Sequence, residues 1–431
     1  MLKSTLANFK KLSPSAKLYL SSMSFYNFAF GIFGVIFNLY LLEIGLREGQ
    51  IGTITSVASF VGAIVSLLFS SYIPHFGYRT SVIMANFVSL FALILILFTG
   101  NYYLILILFA IHGLGSTIMN VLQSPLTMEI VAPPMRNYFF SVKGGILILV
   151  GTLASFLAGL YPTWLTEQFQ LSVIRSQHLT IITALFFVLI STYLFRFIRK
   201  RKVTQTVEME GNVFTHMRNF KNWKTLNKFL LPNILVGFGA GAMVPLFNLY
   251  FRQKFQFSLL EISAIFTAAQ LSMAFFVFLN PYFTRYFRPT SIVTVSQLLS
   301  VPFICMIIYF RNFWLIMLAY AMRMGLMNMA GPVQEHFSMA CFEKEERPFL
   351  SAAKNFSWNI TWCFAAYFAG RCQELKLYDL PLYITIVSYL LSILCYWWAF
   401  NGKEERFILE DEASFMQTVP LFPKSKKERL K

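Results

Sequence analysis

Arg323 is the only Lys or Arg deep inside one of the long apolar runs of this sequence. A guanidinium there needs an anion or a wet cavity, because hydrocarbon offers nothing in place of its water. Glu335 follows in the same run, but about 18 Å further along a straight helix at 1.5 Å per residue, too far to pair. Two readings stay open: an anionic group of a solute held by Arg323 together with His112, or a structural pair or hydrogen bonds to carbonyls.

Spacing singles out further groups. His112, Ser116, Asn120, Gln123 and Thr127 follow steps of four, four, three and four, along one side of a helix. Asn27, Gly31, Gly34 and Asn38 form a similar stripe upstream. Asn233, Gly237, Gly241 and Asn248, and then Arg323, Gly331, Gln334 and Ser338, form two more downstream. Amides and hydroxyls facing lipid are costly, so these stripes either line a cavity or bond helix to helix. Glu129 and Glu335 are candidate proton-coupling acids, since a carboxyl beside a dry cavity titrates at raised pH; ordinary salt bridges are the alternative. Arg136, Lys143, Arg347 and Lys354 recur at equivalent places and read as an inner gate or as snorkelling topology residues. In the stretch Asn355, Trp358, Asn359 and Trp362, the shared face stacks a ring or packs against neighbours.

The elements that must position these groups are membrane helices. Hydrophobic residues make up 57% of the 431-residue chain, charged residues only 13%, and the mean hydropathy is +0.60, more apolar surface than a soluble fold covers. A bilayer core about 30 Å thick needs roughly 20 apolar residues per helical span. The runs predict spans near 17–43, 50–73, 81–99, 103–131, 141–163, 177–199, 228–251, 258–283, 291–309, 313–340, 351–371 and 379–401. Tyr102, Tyr103, Tyr161, Trp164, Trp314, Trp397 and Trp398 fall near their edges, where amphipathic rings favour headgroups. The expected fold is all-α and polytopic, with twelve transmembrane helices in two pseudo-symmetric six-helix bundles. A cytoplasmic N-terminus covers 1–16, the bundles cover 17–199 and 228–401, a cytoplasmic linker 200–227 and a tail 402–431.

Charge placement supports this. The net charge is +17, yet 28 of the 36 Lys and Arg residues fall on the N-terminal side of the predicted membrane, seven on the other, with Arg323 the remainder. That is the positive-inside pattern of a multi-pass protein in the cytoplasmic (inner) membrane with both termini cytoplasmic, and it speaks against nucleic acid as a partner. Lys3, Lys10, Lys11 and Lys17 precede an apolar run with no small-residue cleavage site, so the first helix is expected to stay uncleaved. Five cysteines, odd in number and without paired spacing, point to neither a disulfide framework nor a zinc site. The metal-site, nucleophile-elbow and phosphate-loop motifs of enzymes are missing, so neither catalysis nor a cofactor is expected.

The second half repeats the first at an offset of 210 or 211 positions. Phe37-Asn38-Leu39-Tyr40 matches Phe247-Asn248-Leu249-Tyr250; Gln123 meets Gln334, Met128 meets Met339, Arg136 meets Arg347, Lys143 meets Lys354, and Ala158-Gly159 meets Ala369-Gly370. His112 meets Arg323. Six spans per half is an even number, so the repeat is parallel.

Two like-oriented six-span halves joined by a basic loop resemble the major facilitator superfamily over residues 17 to about 401. That family's loop signature, Gly-x-x-x-Asp-Arg-x-Gly-Arg-Lys, is reduced here to Gly77 and Arg79, with His75 for a basic residue and Pro74 for the Asp. Its counterpart from Asn280 to Pro289 keeps Arg285 and Arg288. His112-Gly113-Leu114-Gly115 stands where the family often has Arg and Gly-x-Gly; the fifth span lacks the Gly-Pro antiporter signature. The resemblance implies that spans 1, 4, 7 and 10 line a central cavity. Asn27, Asn38, His112, Asn120, Gln123, Asn248, Arg323 and Gln334 are then candidate substrate ligands, and Pro125, Pro245 and Pro332 bend the lining helices. It implies a monomeric secondary transporter that moves a small organic solute by a rocker-switch form of alternating access. The partners are the solute, the lipid bilayer and, as a further candidate, a coupling proton. Arg323 leans the solute toward an anion or zwitterion. Efflux of a drug or neutral amphiphile is one alternative, and a transport-dead receptor or scaffold on the same fold is another.

Overall fold

The computed structural model describes residues 9, 11–132, 135–198, 217, 220–284, 286–343 and 346–404. They are helical throughout, without strands. The chain divides into two compact units, Met1–Gly211 and Asn212–Lys431. Most of the expected linker at 200–227 and of the tail at 402–431 lies outside the described residues.

The first unit contains α1 (Pro14–Glu43), α2 (Glu48–Phe76), α3 (Tyr78–Ile96), α4 (Tyr102–Ile130), α5 (Arg136–Phe169) and α6 (Val173–Phe195). Polar caps set several starts: Ser13, Asn101 and Ser172 accept hydrogen bonds from backbone N–H groups of the first turns of α1, α4 and α6, satisfying donors that a helix leaves open. Pro14 follows its cap, where a missing N–H costs nothing. Gly77 joins α2 to α3 at φ +75°, a conformation that L side chains rarely adopt, which accounts for its survival in an otherwise eroded loop signature. Within the unit α1 packs on α5 and α6, while α4 packs between α2 and α3.

The second unit contains α7 (Trp223–Met243), α8 (Phe247–Phe255), α9 (Leu259–Phe283), α10 (Pro289–Tyr309), α11 (Phe313–Met329), α12 (Gly331–Ala340), α13 (Arg347–Glu374) and α14 (Leu380–Phe400). Its packing repeats the first: α7 lies on α13 and α14, and α11 lies against α9 and α10. Ser258 and Glu261 form a reciprocal capping box at the start of α9. Carboxylate oxygens of Glu346 accept from the Lys221 N–H at 3.2 Å and from Asn222 Nδ2 at 2.9 Å, fastening the start of α7 to the start of α13.

Eleven stretches among the described residues are long and apolar enough to cross a membrane, and the twelfth predicted span is α13. At 28 residues α13 is long enough, but Lys354, Asn355, Asn359 and Arg371 lower its hydropathy. The outer surfaces of both units are apolar, with Phe98, Phe278 and Trp398 all more than 70% exposed, as a lipid-solvated surface requires.

Two spans are not continuous. The seventh changes to a 3-10 turn over Val244–Leu246, at Pro245, and resumes as α8. The tenth stops at Ala330 and restarts as α12 with Pro332 in its first turn. A proline removes a backbone donor and crowds the preceding turn, which is why both breaks fall there. The fourth span, by contrast, stays one helix through Pro125. Several boundaries also move outward: α5 spans Arg136–Phe169 rather than 141–163, and α7 begins at Trp223 rather than 228.

Candidate functional site

The sequence repeat reappears as repeated contacts. A methyl group placed on Gly31 would lie 2.6 Å from Ala154 Cβ, and one on Gly241 would lie 3.0 Å from Ala365 Cβ and 2.8 Å from Trp362 Cα. The two glycines, and the two alanines, are equivalent under the sequence offset. Each lets the first helix of its unit approach the fifth.

In the first unit Asn120, Gln123 and Lys143 join in one chain of hydrogen bonds. Gln123 Nε2 donates to Asn120 Oδ1 at 3.2 Å, and Lys143 Nζ donates to Gln123 Oε1 at 3.1 Å. The Lys143 ammonium lies 5.5 Å from the centre of the Tyr19 ring, an electrostatic attraction to the π face. The Tyr19 hydroxyl donates to the Gln123 carbonyl at 3.1 Å, and the Thr127 hydroxyl donates to the same oxygen at 2.7 Å. Lys143 is buried, 8% exposed, and pairs with no carboxylate among the described residues.

His112 and Asn27 are held within the same unit. The His112 ring is buried against Phe30, Phe33 and Phe109, stacked on Phe30 at 5.6 Å, and its Nδ1 lies 2.6 Å from Ser89 Oγ. Asn27 Nδ2 donates to the Leu147 carbonyl at 2.6 Å, bonding α1 to α5. Asn38 is half-buried in the last turns of α1, and Glu129 is half-buried next to the last residue of α4. Arg136 caps α4: Nη2 donates to Met128 O at 2.8 Å and Nε to Val131 O at 3.3 Å. Arg347 does likewise in the second unit, with Nε donating to Phe342 O at 3.1 Å. Both satisfy carbonyls at a helix end, where cations are favoured.

In the second unit Lys354 Nζ lies 2.5 Å from Glu335 Oε2 and donates to Ser338 Oγ at 3.1 Å. Gln334, half-buried in the first turns of α12, makes no side-chain hydrogen bond among the described residues. Asn248 is buried, its Oδ1 accepting from the Leu249 N–H at 3.0 Å. The shared face of Trp358 and Trp362 packs on α7, against Gly237 and Gly241.

Arg323 is 2% exposed. Its Nη2 donates to the Tyr389 hydroxyl at 2.5 Å, its Nη1 approaches Met324 Sδ at 2.9 Å, and its Nε has no hydrogen-bond partner. No carboxylate pairs with it among the described residues. A guanidinium in low dielectric with one hydroxyl for company carries an unmet electrostatic demand.

Sequence reasoning missed Tyr19 and Tyr389, which come from helices remote in sequence, and a cluster around Asp379. There Lys254 lies 2.5 Å from Asp379 Oδ1, and the Tyr250 hydroxyl donates to the same oxygen at 3.0 Å. The repeated Phe-Asn-Leu-Tyr was the available signal: Tyr40, the counterpart of Tyr250, meets His178 Nδ1 at 3.2 Å at the start of α6, as Tyr250 meets Asp379 at the start of α14. Two of the surviving bases of the loop signature have partners in their own units. An Arg79 amino group donates to the Arg196 carbonyl, and Arg288 lies 3.6 Å from Glu404; Arg285 lies outside the described residues.

Comparison with known proteins defines the class. A family model described as Major Facilitator Superfamily matches residues 19–232 and again 229–427. The chain belongs to this superfamily of membrane transporters. The nucleoside transporter NupG superposes with a TM-score of 0.69 at 12% identity, over 88% of this chain and 99% of that one. A bacterial homologue of the human lysosomal transporter Spinster, inward-facing and unoccupied, gives 0.70 at 13% identity, over 93% and 98%. The human organic anion transporter MFSD10 gives 0.59 at 14%, over 89% and 100%. At such identities these likenesses establish the fold. Over 126 residues, 29% of the chain, the sequence is 25% identical to the quinolone resistance protein NorA of Staphylococcus aureus (strain COL), and the match spans 32% of that protein.

Proposed function

We propose that the chain is a secondary transporter that moves a small organic solute across the cytoplasmic membrane by alternating access, working as a monomer with both termini cytoplasmic. The solute is anionic or zwitterionic, and Arg323 is its principal ligand. The observation that carries this is the buried Arg323 guanidinium with no carboxylate partner among the described residues. Intramembrane ions are retained for function, because a structural role is met at lower cost by apolar packing. The name of the organic anion transporter among the similar structures agrees with the lean. Gln123 and Gln334, equivalent in the two halves, are further candidate ligands. Arg136, Lys143, Arg347 and Lys354 are the candidate cytoplasmic gate, and Glu129 and Glu335 the candidate proton-coupling acids.

Efflux of a drug is the second reading, and the likeness to NorA, confined to 29% of the chain, is the observation that bears on it. Alanine substitution at Arg323, Gln123 and Gln334, assayed for uptake of the solute and for arrival in the membrane, tests the proposal. A carrier loses flux while still reaching the membrane. Unchanged flux at Arg323→Ala removes the anionic reading and leaves the efflux of a neutral or cationic amphiphile.

A further inference from the structure

The two halves supply an internal control for the lysine near the start of the fifth helix. In the second unit the lysine is satisfied: Lys354 meets the Glu335 carboxylate at 2.5 Å and the Ser338 hydroxyl at 3.1 Å. Moving back 211 positions keeps almost every part of this site. Lys354 becomes Lys143, Gln334 becomes Gln123 and Ser338 becomes Thr127. Only the anion is lost, because Glu335 becomes Ser124.

What Lys143 has instead is weaker. Gln123 Oε1 accepts one hydrogen bond at 3.1 Å, and the Tyr19 ring, where the other half has Phe229, presents its π face at 5.5 Å. An ammonium offers three donors, and an amide oxygen and a ring carry only partial negative charge. The lysine is nevertheless 8% exposed. The positions beside it are open. Asn120, Ser124 and Gly144, which flank the Lys143–Gln123 bond in sequence, are all exposed, and a methyl placed on Gly144 would have no neighbour within 4 Å.

We infer that Lys143, with Gln123 and Asn120, binds the carboxylate of an organic solute in the place that Glu335 fills in the other half. The ammonium and the Asn120 and Gln123 amide groups supply the donors, and charge-assisted bonds of this kind are the stronger class. The inference deepens the transport reading by naming the group recognised, and rests on that reading only in making the bound carboxylate part of the cargo. It also predicts what would close the site: a carboxylate supplied by the chain itself at position 124.

The test follows thermal unfolding of the purified full-length protein in detergent against a concentration series of sodium benzoate. Benzamide serves as the neutral twin, and sodium chloride holds the ionic strength constant. Benzoate is expected to raise Tm by mass action, and benzamide to leave it unchanged. Ser124→Glu should raise Tm without any ligand and weaken the benzoate response about tenfold or more, the scale of a lost bond to a charged group. Lys143→Gln should abolish the response, and it carries the test should Ser124→Glu fail to fold. Equal stabilisation of Ser124→Glu and the natural protein by benzoate overturns the inference. So does equal action, or equal inaction, of benzoate and benzamide on the natural protein. Uptake of labelled benzoate into proteoliposomes separates the two readings. Binding without uptake supports the site and counts against transport of this group, whereas uptake indifferent to Ser124→Glu supports transport and overturns the site.

Discussion

Gly31 of α1 and Ala154 of α5 are in such close approach that a methyl group on the glycine would lie 2.6 Å from the alanine Cβ. The same relation holds between Gly241 and Ala365 in the other half. A side chain at either glycine must push the helices apart, and overpacking of this kind costs about 1–3 kcal/mol. Gly31→Val and Gly241→Val are therefore each expected to lower the thermal unfolding midpoint in detergent. Gly34→Val, at a position with open space around it, should leave that midpoint nearly unchanged.

Tyr389 is the only hydroxyl that the Arg323 guanidinium reaches among the described residues. Tyr389→Phe should destabilise the second half by about 1.5–3 kcal/mol, the range for a hydrogen bond to a charged group. Arg323→Lys should not restore function, since an ammonium cannot reproduce the planar donor fork. Thermal unfolding measures the first expectation and solute uptake the second.

The number of spans and the halving of the chain could be read from the sequence because lipid imposes them. Every span must be a helix of roughly 20 residues with its backbone bonded internally, and the paired residues from Phe37 to Gly370 gave the offset. The polar partners could not be read this way. Gln123 was singled out by helical spacing, but its bond to Lys143 depends on how α4 and α5 rotate against each other, and one helix face says nothing of the other. Tyr19 and Tyr389 carried no periodic signal at all. The stripe on α1 proved mixed, since Gly31 and Asn27 both serve the contact with α5. His112 and Arg323 are equivalent under the sequence offset, yet the two have different surroundings: an aromatic box with Ser89 for the one, Tyr389 for the other.

At the start of α14, Asp379 accepts from both Lys254 and Tyr250 of α8. The lysine and aspartate side chains are 16% and 36% exposed, so solvent screens the pair and its worth is about 1 kcal/mol or less. Asp379→Asn should lower the unfolding midpoint only slightly. Combining it with Tyr250→Phe should cost less than the two separate losses added, because the first weakens and the second removes the same bond. Thermal melts of the two single variants and the double variant measure this coupling.

Reporter tags fused at the two ends are expected both to report from the cytoplasm, the outcome that the positive-inside rule predicts from the distribution of Lys and Arg. Protease protection in sealed vesicles measures this, and opposite placement of the tags would remove the like orientation of the halves.

Transport itself is tested most directly by counterflow in proteoliposomes, using whichever small organic anion stabilises the purified protein. Vesicles preloaded with the unlabelled solute should transiently accumulate the labelled form above its equilibrium level, and Arg323→Ala vesicles should not. Saturable binding of the solute without counterflow, by protein correctly inserted in the bilayer, would contradict alternating access and leave a receptor on a transporter fold.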